Sequence, residues 1–598
     1  MPSTGSSAKS GENNEKTMIK ESLRKLCVAC AALLGAVASP AQPVIHLPVK
    51  PGQFDFASPF NFPLLLSANY GELRGTHFHG GIDIKTQGVI NKPVMAVADG
   101  YVARIAVSPT GFGKALYVNH ADGTTTVYGH VERFDEPIEQ YIHELQYARQ
   151  SFAVDVAPPK DRFVYKQGDR IALSGNRGSS GGPHLHFEVR ETASQRPLNV
   201  LAWHAFHVED TIPPKAKKLY YIGIDTVQGI PVHIVRQIRT VKRLSDGSYG
   251  IADTSAMRVT GTGYFAVEAE EKKNGTANPM GVYTIDVQCD GKALFGMTVD
   301  RIPFDVGRYA YAAALYPESR STRNGVYTLY VLPNNRLPVY DRKKPNGLLR
   351  LTDDDPREIA VALGDDCGNR SVLRFRVRRG LPPKEPQPEG IPVRWSEDYH
   401  YAGEGIRLSI PKGTLFESIL LRLSTKPRPA YAYSPLYTVH TPDVPVYRSL
   451  SVSLDASAVP ERLRGKALLA AVGANGSRSS AGGRWKEGRV ATETRSFGTF
   501  CIVVDTVPPK ITPAFKPGDD FGARKTMEFT IGDDLSGIAS YTATIDGKWA
   551  LFEYDPKSSR LTHYFDDARW ERGRTHALVL SVTDNKGNKS VFKGSYRR

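Results

Sequence analysis

Cysteine is scarce in this sequence: there are five in 598 residues, and two of them, Cys27 and Cys30, sit in one short apolar stretch near the N-terminus. The other three, Cys289, Cys367 and Cys501, are odd in number and far apart, which excludes a disulfide framework and a cysteine-built zinc site. Long apolar runs are missing as well. The N-terminal stretch, residues 26–37, covers 12 positions and is too short to span a bilayer as a helix. No recognition helix, zinc finger or aromatic RNA motif accompanies the formal charge of +15, so nucleic acid is not an expected partner.

What is present fits ordinary globular folding. Apolar residues make up 40% and charged ones 23%, while 54 Gly and 41 Pro spread along the chain favour strands joined by tight turns over long helices. A mainly β protein is expected. At 598 residues it exceeds what one core can hold, and about four units are expected at ~150 residues each.

The N-terminus carries an export pattern: Lys20, Arg24 and Lys25 precede the apolar residues 26–37, and Ser39-Pro40-Ala41 offers a small-residue cleavage site. Residues 18–41 therefore read as a signal peptide, and 1–17 as a polar extension upstream of an alternative start at Met18. Cys30 lacks the Leu that usually precedes a lipidated cysteine, so a plain signal is favoured over a lipid anchor. The mature chain is expected without a transmembrane segment, in the periplasm or cell envelope of a bacterium or secreted from it. An anionic envelope suits the positive charge.

Two near-identical signposts divide the chain: Asp210-Thr211-Ile212-Pro213-Pro214-Lys215 and Asp505-Thr506-Val507-Pro508-Pro509-Lys510. Pro-Pro pairs stiffen a chain and withhold backbone donors, so both read as interdomain hinges. A second repeat pairs Asp366-Cys367-Gly368-Asn369-Arg370-Ser371-Val372 with Asp584-Asn585-Lys586-Gly587-Asn588-Lys589-Ser590-Val591, each a Gly-Asn turn leading into a closing strand. Asp546-Gly547 marks a tight hairpin, and the Pro-rich run 381–388 another linker. The expected units are 42–206, a β module at 210–378, a β-rich module at 391–504 and a β module at 505–598. The modules at 210–378 and 505–598 resemble immunoglobulin-like sandwiches. Within the first unit, Ile138, Ile142, Leu145 and Phe152 recur at helical spacing, which predicts a helix over 136–152 packed on the sheet, with a lid beside the cleft as the alternative.

The chemistry is concentrated in two places. In His79-Gly80-Gly81-Ile82-Asp83 an imidazole and a carboxylate stand four apart; an extended segment turns both to one face, and the glycines let the backbone bend them together. In Gly182-Pro183-His184-Leu185-His186-Phe187-Glu188, two imidazoles share a strand face. A lone His-x-His pair is more often structural than metal-binding. Beside the first motif it completes a set of two His and one carboxylate, which holds a catalytic zinc and leaves a position open. His77, two residues from His79, reads as a surface or packing residue with ligation as the alternative. Glu188 reads as a structural carboxylate or as an orienting group for its neighbouring imidazoles.

These pieces, with Tyr128-Gly129-His130 and the loop Ser174-Gly175-Asn176-Arg177-Gly178-Ser179-Ser180-Gly181, resemble the lysostaphin-type, or LytM, zinc metallopeptidases in order and spacing, over most of residues 64–203. The resemblance implies a LytM-type β-sheet peptidase domain that binds one Zn2+ through His79, Asp83 and His186. It also implies that His130 and His184 flank the reacting water. Strand geometry alone permits His184 to ligate as well. Some members of the family carry a Tyr in the loop where this chain has Arg177-Gly178-Ser179-Ser180, which puts specificity for glycine bridges in doubt. The resemblance further implies an exported metalloendopeptidase acting on the peptide stems of peptidoglycan, the C-terminal β modules being available to an envelope partner. The alternative is a catalytically silent scaffold or regulator of cell-wall hydrolysis on the same fold.

Overall fold

The structure is a computed structural model that describes residues 55–598 apart from residues 204, 254, 381–387 and 567. The polar extension, the signal segment and most of the 381–388 run lie outside the described residues. Among the described residues strands dominate, as the turn-rich composition predicts, and no helix is long and apolar enough to cross a membrane.

The first unit is built on a nine-stranded antiparallel sheet. Its main strands are β1 (Leu66–Ala68), β2 (Ile82–Lys85), β3 (Gly100–Val107), β4 (Lys114–Asn119), β5 (Thr124–Gly129), β6 (Val154–Val156) and β7 (His184–Glu191). They run in the order β1-β2-β7-β5-β4-β3-β6, which puts β7 between β2 and β5. Alternation on β7 explains its place. Leu185, Phe187 and Val189 are buried in the apolar core, while His184, His186, Glu188 and Arg190 face the other way. Each buried side chain of this kind contributes roughly 1.5–3 kcal/mol, enough to fix the register that aims the polar row.

Helix α1 (Glu136–Arg149) starts at Pro137 in its first turn and ends where Gln150 adopts a left-handed φ of 48°, short of the expected 152. Ile138 and Ile142 are buried in the core, and Phe152 packs there from beyond the helix end. The outer face of α1 is covered too: Tyr147 meets Trp549 edge-on at 5.2 Å, and the Arg569 guanidinium lies 3.8 Å from the Tyr147 ring.

Three further apolar clusters organise the rest of the chain. The first lies under an eleven-stranded sheet whose closing strand, Arg370–Arg379, buries Leu373, Phe375 and Val377 and exposes Arg374 and Arg376, the alternation its sequence shows. The second sits between two five-stranded sheets, and the third between two four-stranded sheets around Phe521, Phe529 and Tyr596. Asp546 and Gly547 have φ of 49° and 78° between paired strands, the conformation a two-residue hairpin turn requires.

The Pro-Pro segments differ from the expected hinges because the second repeat fastens them. Asn369 Nδ2 donates to Asp210 O at 3.1 Å and Ser371 Oγ to Pro214 O at 2.6 Å. In the C-terminal module Asn588 Nδ2 donates to Asp505 O at 3.0 Å and Ser590 Oγ to Pro509 O. Next to the first clasp the buried Lys273 ammonium is ringed by Asp366, by Asp210 at 2.9 Å and by Glu271 at 3.6 Å. Burial pushes the Glu271 carboxyl up to about 9, with Lys273 pulling the other way and Asp365, Asp366 and Asp210 adding to the rise.

Candidate metal centre

Register assembles the site. On β7, His186 stands opposite Asp83 of β2 on one side and Gly129 of β5 on the other, and residues directly opposite on paired strands share a face. His79 precedes β2 and reaches the same face by a close backbone approach: a Cβ on Gly81 would lie 2.2 Å from Phe187 O, so only glycine fits there. The result brings together His79, Asp83 and His186, all buried, with ligand atoms within 4.8 Å of one another.

The hydrogen bonds behind these side chains decide what the cluster can hold. His79 Nδ1 meets Asn69 O at 2.8 Å, so it carries the proton and leaves the Nε2 lone pair facing inward. His186 Nε2 meets Glu188 Oε1 at 2.8 Å, which turns its Nδ1 inward. Those two nitrogens are 3.0 Å apart, and Asp83 Oδ1 lies 3.0 Å from one and 2.8 Å from the other. Once His186 Nδ1 gives up the proton it shares with Asp83, three acceptor atoms converge, an arrangement that a cation stabilises and that fits a metal with nitrogen and oxygen ligands.

Two more imidazoles border this set. His184 Nδ1 donates to Gly182 O at 2.8 Å, and its Nε2 lies 3.4 Å from Asp83 Oδ1. His130 Nδ1 donates to Arg177 O at 2.8 Å, and the His130 and His184 rings meet edge-on at 4.8 Å. His130 adopts a left-handed φ of 61°, uncommon for a residue with a side chain, and is held there by its neighbours.

Electrostatics follow the same geometry. Burial, reinforced by His184 and His186, pushes His130 down to about 3, so its imidazole is neutral at pH 7. Burial also lowers His79. At His186 burial is outweighed by the Asp83 and Glu188 carboxylates, which push it up to about 9. Asp83 stays well below the ordinary carboxylate range because the surrounding imidazoles overcome its burial.

Of the residues expected from sequence, the fold brings His79, Asp83, His186, His184 and His130 to one place. His77 is not part of the cluster; it contacts Thr76 Oγ1 at 3.0 Å. Glu188 takes the orienting position, its second oxygen accepting from Arg190 Nε at 2.6 Å. Several contributors carry no local signal. Phe112 stacks on His186 at 4.9 Å, Arg74 Nη2 reaches Asp83 Oδ2 at 3.2 Å, and Asn69 supplies its carbonyl to His79. A cavity of about 870 Å³ opens beside the centre, lined by Arg74, Asp83, His184, the 181–183 segment and, from the second unit, Asn278 and Pro279.

Residues 77–147 match the family described as Peptidase family M23, and residues 391–505 one described as a Zu5-like domain. Over 133 residues the chain is 35% identical to a Haemophilus influenzae protein named an uncharacterized metalloprotease, covering 22% of this chain and 22% of that one. Over 144 residues it is 28% identical to the DD-carboxypeptidase/endopeptidase Mpg of Neisseria meningitidis, covering 24% of this chain and 25% of the relative. The chain thus spans no more than about a quarter of the length of these curated relatives. Among solved structures, the catalytic domain of the prophage-encoded M23 protein EnpA from Enterococcus faecalis shares 27% identity, over 23% of this chain and 87% of that one, with a TM-score of 0.17. The N-terminal unit of this chain is an M23, LytM-type, peptidase domain.

Proposed function

We propose that this chain is an exported zinc metalloendopeptidase that hydrolyses peptide cross-links in bacterial peptidoglycan. The observation that carries the reading is the convergence of His79 Nε2, His186 Nδ1 and Asp83 Oδ1, with the outer nitrogens of the two imidazoles held by Asn69 O and Glu188. Those three residues hold the zinc, which when bound supplies a Lewis acid that polarises a carbonyl and makes water a competent nucleophile near neutral pH.

The chain's own residues supply the rest. His130 and His184 present Nε2 to the reacting atoms: the ring that takes the proton from water becomes an imidazolium and hands that same proton from Nε2 to the departing amine, while the other orients the water. Their Nδ1 atoms stay locked on Arg177 O and Gly182 O, so neither ring can flip its tautomer during the reaction. The cavity beside the centre has the size and open glycine wall to admit an extended peptide. The Neisseria relative is named a DD-carboxypeptidase/endopeptidase, which supports a peptide bond between D-residues, as in a cross-link from D-Ala to a diamino acid, over a glycine bridge.

The test is digestion of purified cross-linked peptidoglycan by zinc-loaded protein, with mass analysis of released fragments. Wild type is expected to release new, chelator-sensitive fragments. His79→Ala, Asp83→Ala and His186→Ala are expected to lose zinc, whereas His130→Ala and His184→Ala keep zinc and lose hydrolysis. Undiminished zinc in all three ligand variants overturns the metal assignment; an intact wall with one zinc bound overturns the hydrolase reading in favour of a silent scaffold.

A further inference from the structure

The loop 175–182 forms one wall of the centre and anchors both flanking imidazoles. Arg177 O accepts from His130 Nδ1, and Ser180 Oγ meets His184 Nδ1 at 3.2 Å. Its glycine positions show how tightly it is wedged. A Cβ on Gly178, whose φ is 71°, would lie 2.3 Å from Gly113 N, and Ser179 N donates to Gly111 O at 2.8 Å.

This loop is gripped from the far end of the sequence. Arg177 pairs with Glu132 of its own unit at 2.5 Å and with Glu553 of the C-terminal module at 2.9 Å, while its Nη2 donates to Tyr564 Oη at 2.9 Å. Lys557 Nζ donates to the two main-chain carbonyls on either side of Arg177, Asn176 O and Gly178 O. Glu553 is buried and also faces Lys114 at 3.5 Å, and these two cations hold it below the ordinary carboxylate range despite its burial. Glu553 and Tyr564 of the C-terminal module therefore converge on Arg177, the residue whose carbonyl orients His130, and Lys557 grips the chain on either side of it.

We propose that the C-terminal module completes the hydrolytic site, Glu553 and Tyr564 acting through Arg177, and Lys557 through the carbonyls flanking it, as positioning residues for His130. The inference rests on the role given to His130 above. His130 occupies a left-handed backbone conformation that its surroundings must enforce, so loosening Arg177 frees both the ring and the chain that carries it. The module does not touch the reacting atoms. Its contribution is orientation, of the kind whose loss costs about 10–100-fold in activity at a metal site.

The test uses the full chain, zinc-loaded, with Glu553→Gln and Lys557→Met, the latter chosen because its side chain is partly exposed and its ion-pair partner, Asp555 at 3.7 Å, is partly exposed too. Both are expected to lower kcat about tenfold or more, with KM and zinc content within about twofold of wild type, and Lys557→Arg to recover most of the loss. In parallel, hydrogen exchange at the His130, Arg177 and Ser179 amides is expected to quicken in both variants, a readout independent of turnover. Unchanged exchange, unchanged kcat in an active wild type, or loss of zinc alongside activity overturns the proposal. Should Glu553→Gln fail to fold, Lys557→Met decides alone. A wild type that binds zinc yet leaves wall intact removes the hydrolase reading, and the exchange comparison then decides whether the module positions His130.

Discussion

Asn69 binds His79 to a neighbouring unit: its main-chain carbonyl accepts from His79 Nδ1 at 2.8 Å while its buried side-chain amide grips Gly281, donating to Gly281 O at 2.9 Å and accepting from Gly281 N at 2.7 Å. An imidazole of the candidate metal centre in the first unit is thus oriented by a contact made in the second.

Asn69→Ala breaks that link. It leaves the buried N–H and C=O of Gly281 unpaired, for an expected cost of about 2–4 kcal/mol, and releases the carbonyl that fixes the His79 tautomer, weakening zinc about tenfold. Chelator competition and a thermal melt check both effects. Wild-type affinity in a destabilised variant would separate Asn69 from the site.

Glu188→Gln keeps the shape of the side chain and removes the charge that faces His186 Nε2 and Arg190 Nε. Zinc affinity is expected to fall about 10–100-fold, with the sheet intact because Phe187 and Val189 still fill the core. Affinity within about twofold of wild type would reduce Glu188 to a structural carboxylate.

How much of this was legible in the sequence can be judged residue by residue. The even spacing of His184, His186 and Glu188 shows one strand face, and the Gly80-Gly81 pair shows a bend, so the sequence locates the centre and the fold supplies only the register that sets His186 against Asp83. Leu373, Phe375 and Val377 likewise announce their strand. What stayed hidden depends on contacts between distant positions. Nothing local marks Asn69 as a partner of Gly281, or Arg177 as a partner of Glu553. The Pro-Pro segments misled for a related reason: their stiffness is local and visible, but the Ser371 and Ser590 hydroxyls that pin them come from the far end of each module. The helix ended early because Gln150 turned left-handed, which apolar spacing through Phe152 does not reveal.

Lys273→Met removes the single ammonium from a buried ring of carboxylates formed by Asp210, Glu271 and Asp366. Leaving buried charge uncompensated is expected to cost the second unit about 3–5 kcal/mol. Urea unfolding followed by hydrogen exchange on the strand Arg370–Arg379 isolates that unit, and an unchanged midpoint would show the ring to be neutral without its lysine.

Glu271 gives the same unit a pH dependence. Its folded carboxyl, pushed up to about 9 from an ordinary 4.5, keeps a proton that the unfolded chain releases, so its stabilising contribution is complete at low pH and is lost as pH rises toward about 9. Wild-type urea midpoints are expected to decline from about pH 5 to 9, and Glu271→Gln, which never ionises, to flatten the decline. Equal slopes would show that Glu271 ionises normally in the folded unit.

The left-handed backbone at His130, with φ at 61°, sets function against durability at a single position. Glycine adopts that conformation freely, whereas histidine carries a strain of about 1 kcal/mol there. His130→Gly is therefore expected to surrender catalysis with less loss of stability than His130→Ala, a ranking that thermal melts can read. In a lineage that stopped needing the reaction, selection for stability alone would no longer defend the imidazole, and glycine or asparagine at position 130 would be among the earliest marks of a retired enzyme.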